Sequence, residues 1–173
     1  MDKTPFSMIP VEDLKCGFKD DERLGESNSN TYQGTLFGLR VAAKVIPGKS
    51  REEVEKILEE QQTTWREINN PYICLYLGAS YHLEKGLVLI SERMDVDLDT
   101  FMTKNENNAP SLFQRMRMAY QIACGLTWTA RKLPHHNLKP TNILVAGLSE
   151  TQEWTENSGC KVADFGIESI ESR

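Results

Sequence analysis

The chain has 173 residues, of which 39% are hydrophobic and 26% charged, a composition typical of a soluble globular protein with one or two small folding units. Its formal net charge of -5, without a basic tract or a basic helical face, argues against binding to nucleic acid or to an anionic membrane. No stretch approaches the ~20 apolar residues that span a bilayer, and residues 1–10 lack the apolar run of a secretory signal. We therefore expect a cytoplasmic protein that contacts neither nucleic acid nor membrane.

The cysteines give no sign of a metal site. Cys16, Cys74, Cys124 and Cys160 are far apart in the chain and form no Cys-x-x-Cys pair. We expect them to be buried or unreactive thiols in a reducing cytosol.

The first half of the chain shows strands around one helix. Apolar residues alternate over 41–45, which predicts a strand that ends at the Pro47-Gly48 turn. Ser50 and Glu53 form a capping-box pair, and the helical spacing that follows runs until residues 69–71. Residues 73–77 and 87–91 predict two further strands, joined as a hairpin around residues 84–86.

The second half is mostly helical. Residues 97–103 predict a short helix, and Ser111 with Gln114 caps a long amphipathic helix. The apolar residues expected to form the buried face of that helix are Leu112, Met116, Ala119, Ile122, Ala123 and Leu126. Residues 143–145 and 161–163 predict two short strands, separated by an acidic loop that is long for a hairpin.

Two motifs lie late in the chain. Residues 135–142 (HHNLKPTN) match H-R-D-L-K-P-x-N except at His136 and Asn137, and residues 162–166 (VADFG) contain the D-F-G motif. These motifs resemble the catalytic and metal-binding loops of protein kinases. Residues 75–79 (LYLGA) and 138–142 (LKPTN) are similar to segments of the tyrosine-kinase-like serine/threonine group.

The resemblance implies an α+β, protein-kinase-like fold. A small lobe of antiparallel sheet plus one helix is expected over residues 14–94, after an N-terminal extension at 1–13. The helical first part of a large lobe is expected over 95–173. Seven residues follow the D-F-G motif, so the kinase resemblance is expected to be truncated there, before an activation segment.

The resemblance also implies an ATP site in the small lobe. Lys44, in the VAAK stretch with Ala42, would hold the α and β phosphates of ATP. The phosphate-covering loop would span residues 24–34 and keeps only Gly25 of three expected glycines, which loosens or reshapes the cover.

A helix residue and the hinge would complete that part of the site. The helix partner of Lys44 falls on Gln61 or, if the register shifts by one, on Glu60. Ser91 would be a small gatekeeper, and Glu92 and Met94 would lie in the hinge that hydrogen-bonds adenine.

Large-lobe residues would supply the remaining chemistry. Asn142 and Asp164 would bind Mg²⁺, and Lys139 would reach the γ-phosphate. Asn137 stands where kinases keep the aspartate that orients the substrate hydroxyl and accepts its proton, and an amide takes up no proton. His135 is expected to be a packed loop histidine and neither a ligand nor an acid-base group.

Three interpretations remain open at this point. The chain is an active serine/threonine kinase that phosphorylates protein substrates, a pseudokinase that binds MgATP and a protein partner, or a fragment of a longer gene. Intact Lys44, Lys139, Asn142 and Asp164 favour the first, whereas Asn137 and the glycine-poor loop favour the second. Self-association through an exposed large-lobe surface is a further expectation.

Overall fold

The computed structural model describes residues 8–25, 29–67, 70–106, 109–130, 135–165 and 170, without the side chains of residues 61–67. The chain divides into two compact units. The first comprises Met1–Glu67 and Leu75–Arg93, and the second comprises Ile68–Cys74 and Met94–Arg173. Each unit has its own hydrophobic core.

The first unit is a five-stranded antiparallel sheet with one helix. The strands are β1 (Leu14–Lys15), β2 (Thr31–Leu36), β3 (Leu39–Ile46), β4 (Tyr76–His82) and β5 (Gly86–Glu92), in the order β1-β2-β3-β5-β4. The helix, α1, spans Arg51–Glu67, and two 3-10 turns at Val11–Asp13 and Asp20–Glu22 precede β2. The predicted small lobe of antiparallel sheet plus one helix is confirmed.

Alternation along β3 builds the core of this unit. Val41, Ala43 and Val45 are buried in one cluster with residues of β1, β2 and β5. The predicted capping box starts α1, since Glu53 N donates to Ser50 Oγ at 3.3 Å and Ser50 N donates to Glu53 Oε2 at 2.8 Å. These bonds lower the pKa of the Glu53 carboxyl.

The strand predicted at residues 73–77 is wrong in its bounds. The structure places β4 at Tyr76–His82, and its pairing with β5 is irregular between Tyr76 and Gly78. Ile73 and Cys74 instead belong to the second unit, where Cys74 N donates to Val162 O at 2.8 Å. An apolar run signals burial but does not say which backbone it pairs with, and here its first two residues, Ile73 and Cys74, pair with Val162.

The second unit combines two helices with a three-stranded sheet. The helices are α2 (Leu98–Lys104) and α3 (Leu112–Thr129), and the antiparallel strands, in sheet order, are β6 (Val96–Asp97), β7 (Ile143–Ala146) and β8 (Gly159–Val162). A 3-10 turn at Pro140–Asn142 leads into β7. The bounds of α2, β7 and β8 match their predictions within two residues, and α3 starts at the predicted residue but ends at Thr129, three residues beyond the predicted end. The two-residue β6 is too short to leave a sequence pattern.

The face that α3 buries differs from the predicted face. Its fully buried residues are Met118, Gln121, Gly125 and Thr129, and only Ile122 and Leu126 of the predicted set pack against the core. Leu112, Met116, Ala119 and Ala123 are exposed. The reason is close backbone contact, since Cys160 N donates to Gln121 Oε1 at 2.9 Å and a Cβ at Gly125 would lie 2.7 Å from Tyr72 O.

The four cysteines, all among the described residues, form no disulfide; Cys74 and Cys160 are buried, and Cys16 and Cys124 are half-buried. Burial raises the pKa of Cys160 to about 12, which keeps this thiol protonated and unreactive. Within the part of the chain that the structure describes, no helix is both long and apolar enough to cross a membrane.

Candidate functional site

One face of the first unit's sheet gathers three of the predicted residues. Ala42 lies directly opposite Ser91, and Lys44 lies opposite Leu89 on the neighbouring strand. Because directly paired residues of antiparallel strands project to the same side, Ala42, Lys44 and Ser91 share one face, opposite the core face of β3. Ala42 and Ser91 are small side chains, of which Ala42 is buried and Ser91 is half-buried, and the half-buried Lys44 lies two residues along β3 from Ala42.

Glu92, at the end of β5, is held by two hydrogen bonds, and the nearby Met94 is held by packing. Glu92 N donates to Leu75 O at 2.9 Å, and Glu92 Oε1 accepts from Leu75 N at 2.7 Å, so the carboxylate is engaged with backbone. Met94 is only 6% exposed and packs in the second unit with Cys74 and Ala163. Each of these residues therefore has mainly backbone groups to offer a ligand.

Backbone hydrogen bonds hold both ends of the glycine-poor loop. Leu24 N donates to Thr31 O at 2.7 Å, and Val45 N donates to Asn30 O at 2.8 Å. Gly25 has a φ of 79°, a left-handed conformation that glycine adopts without a steric penalty. Residues 26–28, including Ser27 at one of the missing glycine positions, lie outside the described residues.

Both helix partners proposed for Lys44 lie in α1. Glu60 is an exposed residue of this helix, and the side chain of Gln61 falls outside the described residues.

His135 anchors the first motif of the second unit. It is 8% exposed, and its Nε2 lies 2.7 Å from Ala163 O. Asn137 N donates to its Nδ1 at 3.3 Å, so Nδ1 is the acceptor and Nε2 carries the hydrogen that is donated to Ala163 O. The ring also contacts Phe165 edge-on at 4.6 Å between centroids. His135 is thus a packed loop histidine, as predicted, and it joins the two motifs.

Asn142 closes the same loop. Its Nδ2 donates to Asn137 O at 2.8 Å, and its own carbonyl accepts from Ala163 N at 2.9 Å. With Nδ2 used in this way, the amide oxygen Oδ1 is the atom that Asn142 can offer to a cation. The side chains of Asn137 and Lys139 are exposed.

The sheet register brings the two motifs together within the second unit. Ile143 pairs with Val162, so Asn142 precedes one strand where Ala163 and Asp164 follow the other. Asp164 is half-buried and adopts a φ of 63°, and His136 adopts a φ of 57°. Left-handed conformations cost non-glycine residues roughly 1–2 kcal/mol and gather at functional sites. Gly166 of the D-F-G motif lies outside the described residues.

The side chains of Asn142 and Asp164 fit a magnesium ion chemically. A carboxylate and an amide oxygen are ligands that Mg²⁺ accepts, and it commonly takes one or two protein ligands together with phosphate and water oxygens. Both side chains were proposed as magnesium ligands from the sequence, which gave no sign of the hydrogen bond by which the Asn137 carbonyl orients Asn142. A main-chain acceptor leaves no side-chain pattern to detect.

Residues 19–172 match a family model described as protein tyrosine and serine/threonine kinase. The chain belongs to the protein kinase family. Residues 135–142 and 162–166 carry the kinase resemblance, from which we expected an antiparallel sheet with one helix, followed by a more helical part. Membership of the family explains why the structure has these elements in that order.

Individual relatives agree with this membership. The chain is 28% identical to the dual specificity protein kinase shkE of Dictyostelium discoideum, over 94% of this chain and 22% of that protein. It is 30% identical to the kinase and exchange factor for Rac A of the same organism, over 95% of this chain and 12% of that protein. It is 25% identical to the serine/threonine-protein kinase STE7 homolog of Candida albicans, over 84% of this chain and 24% of that protein. The chain thus spans a quarter or less of the length of these relatives.

Proposed function

We propose that this protein kinase domain binds MgATP and transfers phosphate slowly or not at all, so that it acts as a regulatory or binding module of serine/threonine ancestry. The observation that supports the proposal is that Asn142 precedes β7 beside the end of β8, which Asp164 follows by two residues, next to hydrogen bonds made by His135 and Asn137.

Each remaining residue has a role in this proposal. Lys44 binds the α and β phosphates, and the small side chains of Ala42 and Ser91 accept the adenine ring. Backbone groups of Glu92 and Met94 hydrogen-bond adenine, while the Asn142 and Asp164 oxygens hold the magnesium ion against the phosphates. Lys139 neutralises charge on the γ-phosphate.

Asn137 limits the chemistry. In phosphoryl transfer to a hydroxyl, the catalytic-loop aspartate orients the hydroxyl and accepts its proton. The Asn137 amide can orient a hydroxyl by accepting a hydrogen bond, but it cannot take the proton. The exposure of its side chain leaves it free to contact a partner or substrate protein in the cytoplasm.

An active kinase is the second candidate. Lys44, Lys139, Asn142 and Asp164 are all retained, and most phosphoryl-transfer catalysis comes from positioning and electrostatic stabilisation. Three relatives are named dual specificity protein kinases, which supports protein hydroxyls as the acceptor. Measured phosphate transfer decides between the two candidates.

Thermal unfolding with ATP, in the presence and absence of Mg²⁺, tests the proposal directly. A ligand at ~100 times its Kd stabilises the folded state by about 2.7 kcal/mol, so the parent should unfold at a higher temperature with MgATP than with ATP alone. Asp164→Ala should remove the magnesium-dependent part of the shift. Asp99→Ala, which alters an exposed carboxylate of α2 in the same unit, is the matched control and should keep the shift. Equal shifts for the parent and Asp164→Ala would contradict the metal assignment.

A further inference from the structure

β8 is an edge strand of the second unit's sheet, and its outer edge is paired by groups that belong to no strand of that sheet. The sheet order is β6-β7-β8, so β7 pairs with only one edge of β8. On the other edge, Cys160 N donates to Gln121 Oε1 at 2.9 Å. Two residues later, Val162 N donates to Tyr72 O at 2.9 Å, and Val162 O accepts from Cys74 N at 2.8 Å. A side chain and a main-chain segment thus take the place of a fourth strand.

Gln121 makes its bond from a buried position on α3. It is 8% exposed, although glutamine is mostly a surface residue. Its amide lies along the backbone of Gly159 and Cys160, since a Cβ at Gly159 would lie 3.5 Å from Nε2 and 3.7 Å from Oε1. An apolar side chain of similar size would fill the same space but would leave Cys160 N unpaired in the interior, which destabilises a fold. The buried amide therefore serves the backbone of β8.

β8 leads directly to the proposed metal ligand. The strand ends at Val162, Ala163 N donates to Asn142 O at 2.9 Å, and Asp164 follows. Asp164 is half-buried with a φ of 63°, a conformation that a non-glycine residue keeps only when its surroundings hold it there. Because Asn142 precedes β7 and Asp164 follows β8, a shift of β8 against β7 would change the separation of the two proposed ligands.

We propose that Gln121 is a positioning residue that fixes β8 against α3 and thereby sets the position of Asp164 relative to Asn142 for binding Mg²⁺. The inference rests on the proposed binding of MgATP. Groups that orient a metal ligand without touching the metal ion typically change metal affinity about 10–100-fold when they are replaced. Because Gln121 acts through the backbone from Cys160 to Asp164, we expect the lower end of this range.

Titration calorimetry with MgATP, and with ATP in EDTA, tests the inference because only the first ligand uses the metal site. Gln121→Met removes the acceptor at similar size, so it should raise the Kd for MgATP about tenfold and change the Kd for metal-free ATP less than about twofold. Gln121→Glu keeps an acceptor oxygen whether its carboxyl group is ionised or protonated, so it should recover most of the lost affinity. Ala123→Gly weakens the exposed side of α3 and is the control for a general loss of helix stability, expected to bind both ligands like the parent.

Hydrogen exchange of the ligand-free protein gives a second readout, which does not depend on nucleotide. The Ala163 amide donates to Asn142 O, so it should exchange faster in Gln121→Met than in Ala123→Gly. Unchanged exchange at Ala163, unchanged MgATP affinity, or no recovery by Gln121→Glu would each overturn the role of Gln121. Equal weakening of MgATP and metal-free ATP would overturn it as well, by showing a general loss of structure.

The parent protein separates failure of this inference from failure of the proposed function. A parent that binds MgATP more tightly than metal-free ATP supports the proposed metal site, and any of the contrary results in Gln121→Met then overturns the inference alone. A parent that binds MgATP no more tightly than metal-free ATP overturns the proposed metal site, and this inference with it.

Discussion

Both ring nitrogens of His135 make hydrogen bonds at the residue scale. Nε2 donates to Ala163 O and Nδ1 accepts from Asn137 N, whose amide also donates to the His135 carbonyl at 2.7 Å. Asp164 directly follows Ala163, so the ring holds the backbone from which the proposed metal ligand projects. A histidine that makes these bonds is a structural part of the loop.

Replacing His135 by Phe should destabilise the second unit. The aromatic contact with Phe165 is kept, but the Ala163 carbonyl loses its ring donor in a buried position, which costs roughly 1–3 kcal/mol. Urea unfolding followed by fluorescence measures the change. His136→Asn is the matched control, because His136 is exposed with a φ of 57° that asparagine tolerates, and it should change the free energy of unfolding by less than ~0.5 kcal/mol. Equal effects of the two substitutions would contradict the anchoring role of His135.

The sequence led to candidate site residues but not to the backbone groups that hydrogen-bond around them. Lys44, Asn142 and Asp164 were proposed as nucleotide or metal ligands because residues 41–44, 135–142 and 162–166 have motif spacing. The backbone carbonyls of Asn137, Ala163 and Ser29 also act as acceptors, and these atoms are the same in every residue type. Only the folded arrangement reveals such acceptors.

At the scale of elements, helix and strand types followed from local signals. The capping pairs at Ser50 and Ser111 gave the starts of α1 and α3 correctly. The bounds of β4 and the buried face of α3 could not be predicted, because both depend on long-range contacts, such as that of Gly125 with the Tyr72 carbonyl. Gln121 and Gly125 lie on the buried face of α3, and neither is a large apolar residue that a hydrophobic pattern would detect.

Gly125→Ala tests the close contact of α3. In an exposed helix this change would stabilise by about 1 kcal/mol through helix propensity. Here the added Cβ would lie 2.7 Å from Tyr72 O and 3.2 Å from Val162 Cγ2, so overpacking of about 1–3 kcal/mol should outweigh that gain. We expect a net loss in the free energy of unfolding, measured by urea denaturation.

Ala123→Gly provides the control on the exposed side of the same helix. It should cost about 1 kcal/mol through propensity alone, with no change at the Tyr72 contact. A Gly125→Ala protein more stable than the parent would show that the helix sits farther from residue 72 than described.

At the scale of the whole molecule, α3 exposes several large apolar side chains. They have exposures of 50–75% and are Leu112, Phe113, Met116, Tyr120 and Trp128. Together they expose on the order of 600 Å² of surface, an area comparable with the largest apolar patches of soluble monomers. This surface is where we propose that the chain self-associates.

Sedimentation velocity tests this proposal. The parent should form dimers or larger species as its concentration rises, and Phe113→Ser with Met116→Ser should shift it to monomer, since these side chains are 75% and 63% exposed. Leu39→Ser, which removes a 65% exposed leucine of β3, is the control and should leave the association unchanged. A parent that is monomeric at high concentration and binds no hydrophobic dye would contradict the proposal.

The central claim, a kinase domain that keeps its nucleotide site and has lost its base, is tested most directly by phosphate transfer from radiolabelled MgATP. Parent and Asn137→Asp should be compared at equal MgATP occupancy, with transfer to the chain itself and to an added generic protein substrate counted together. Because a positioned acid-base group contributes at least ~10²-fold to the rate, Asn137→Asp should transfer phosphate at least about a hundred times faster than the parent, with similar MgATP affinity. A parent that transfers phosphate as fast as Asn137→Asp would contradict the account.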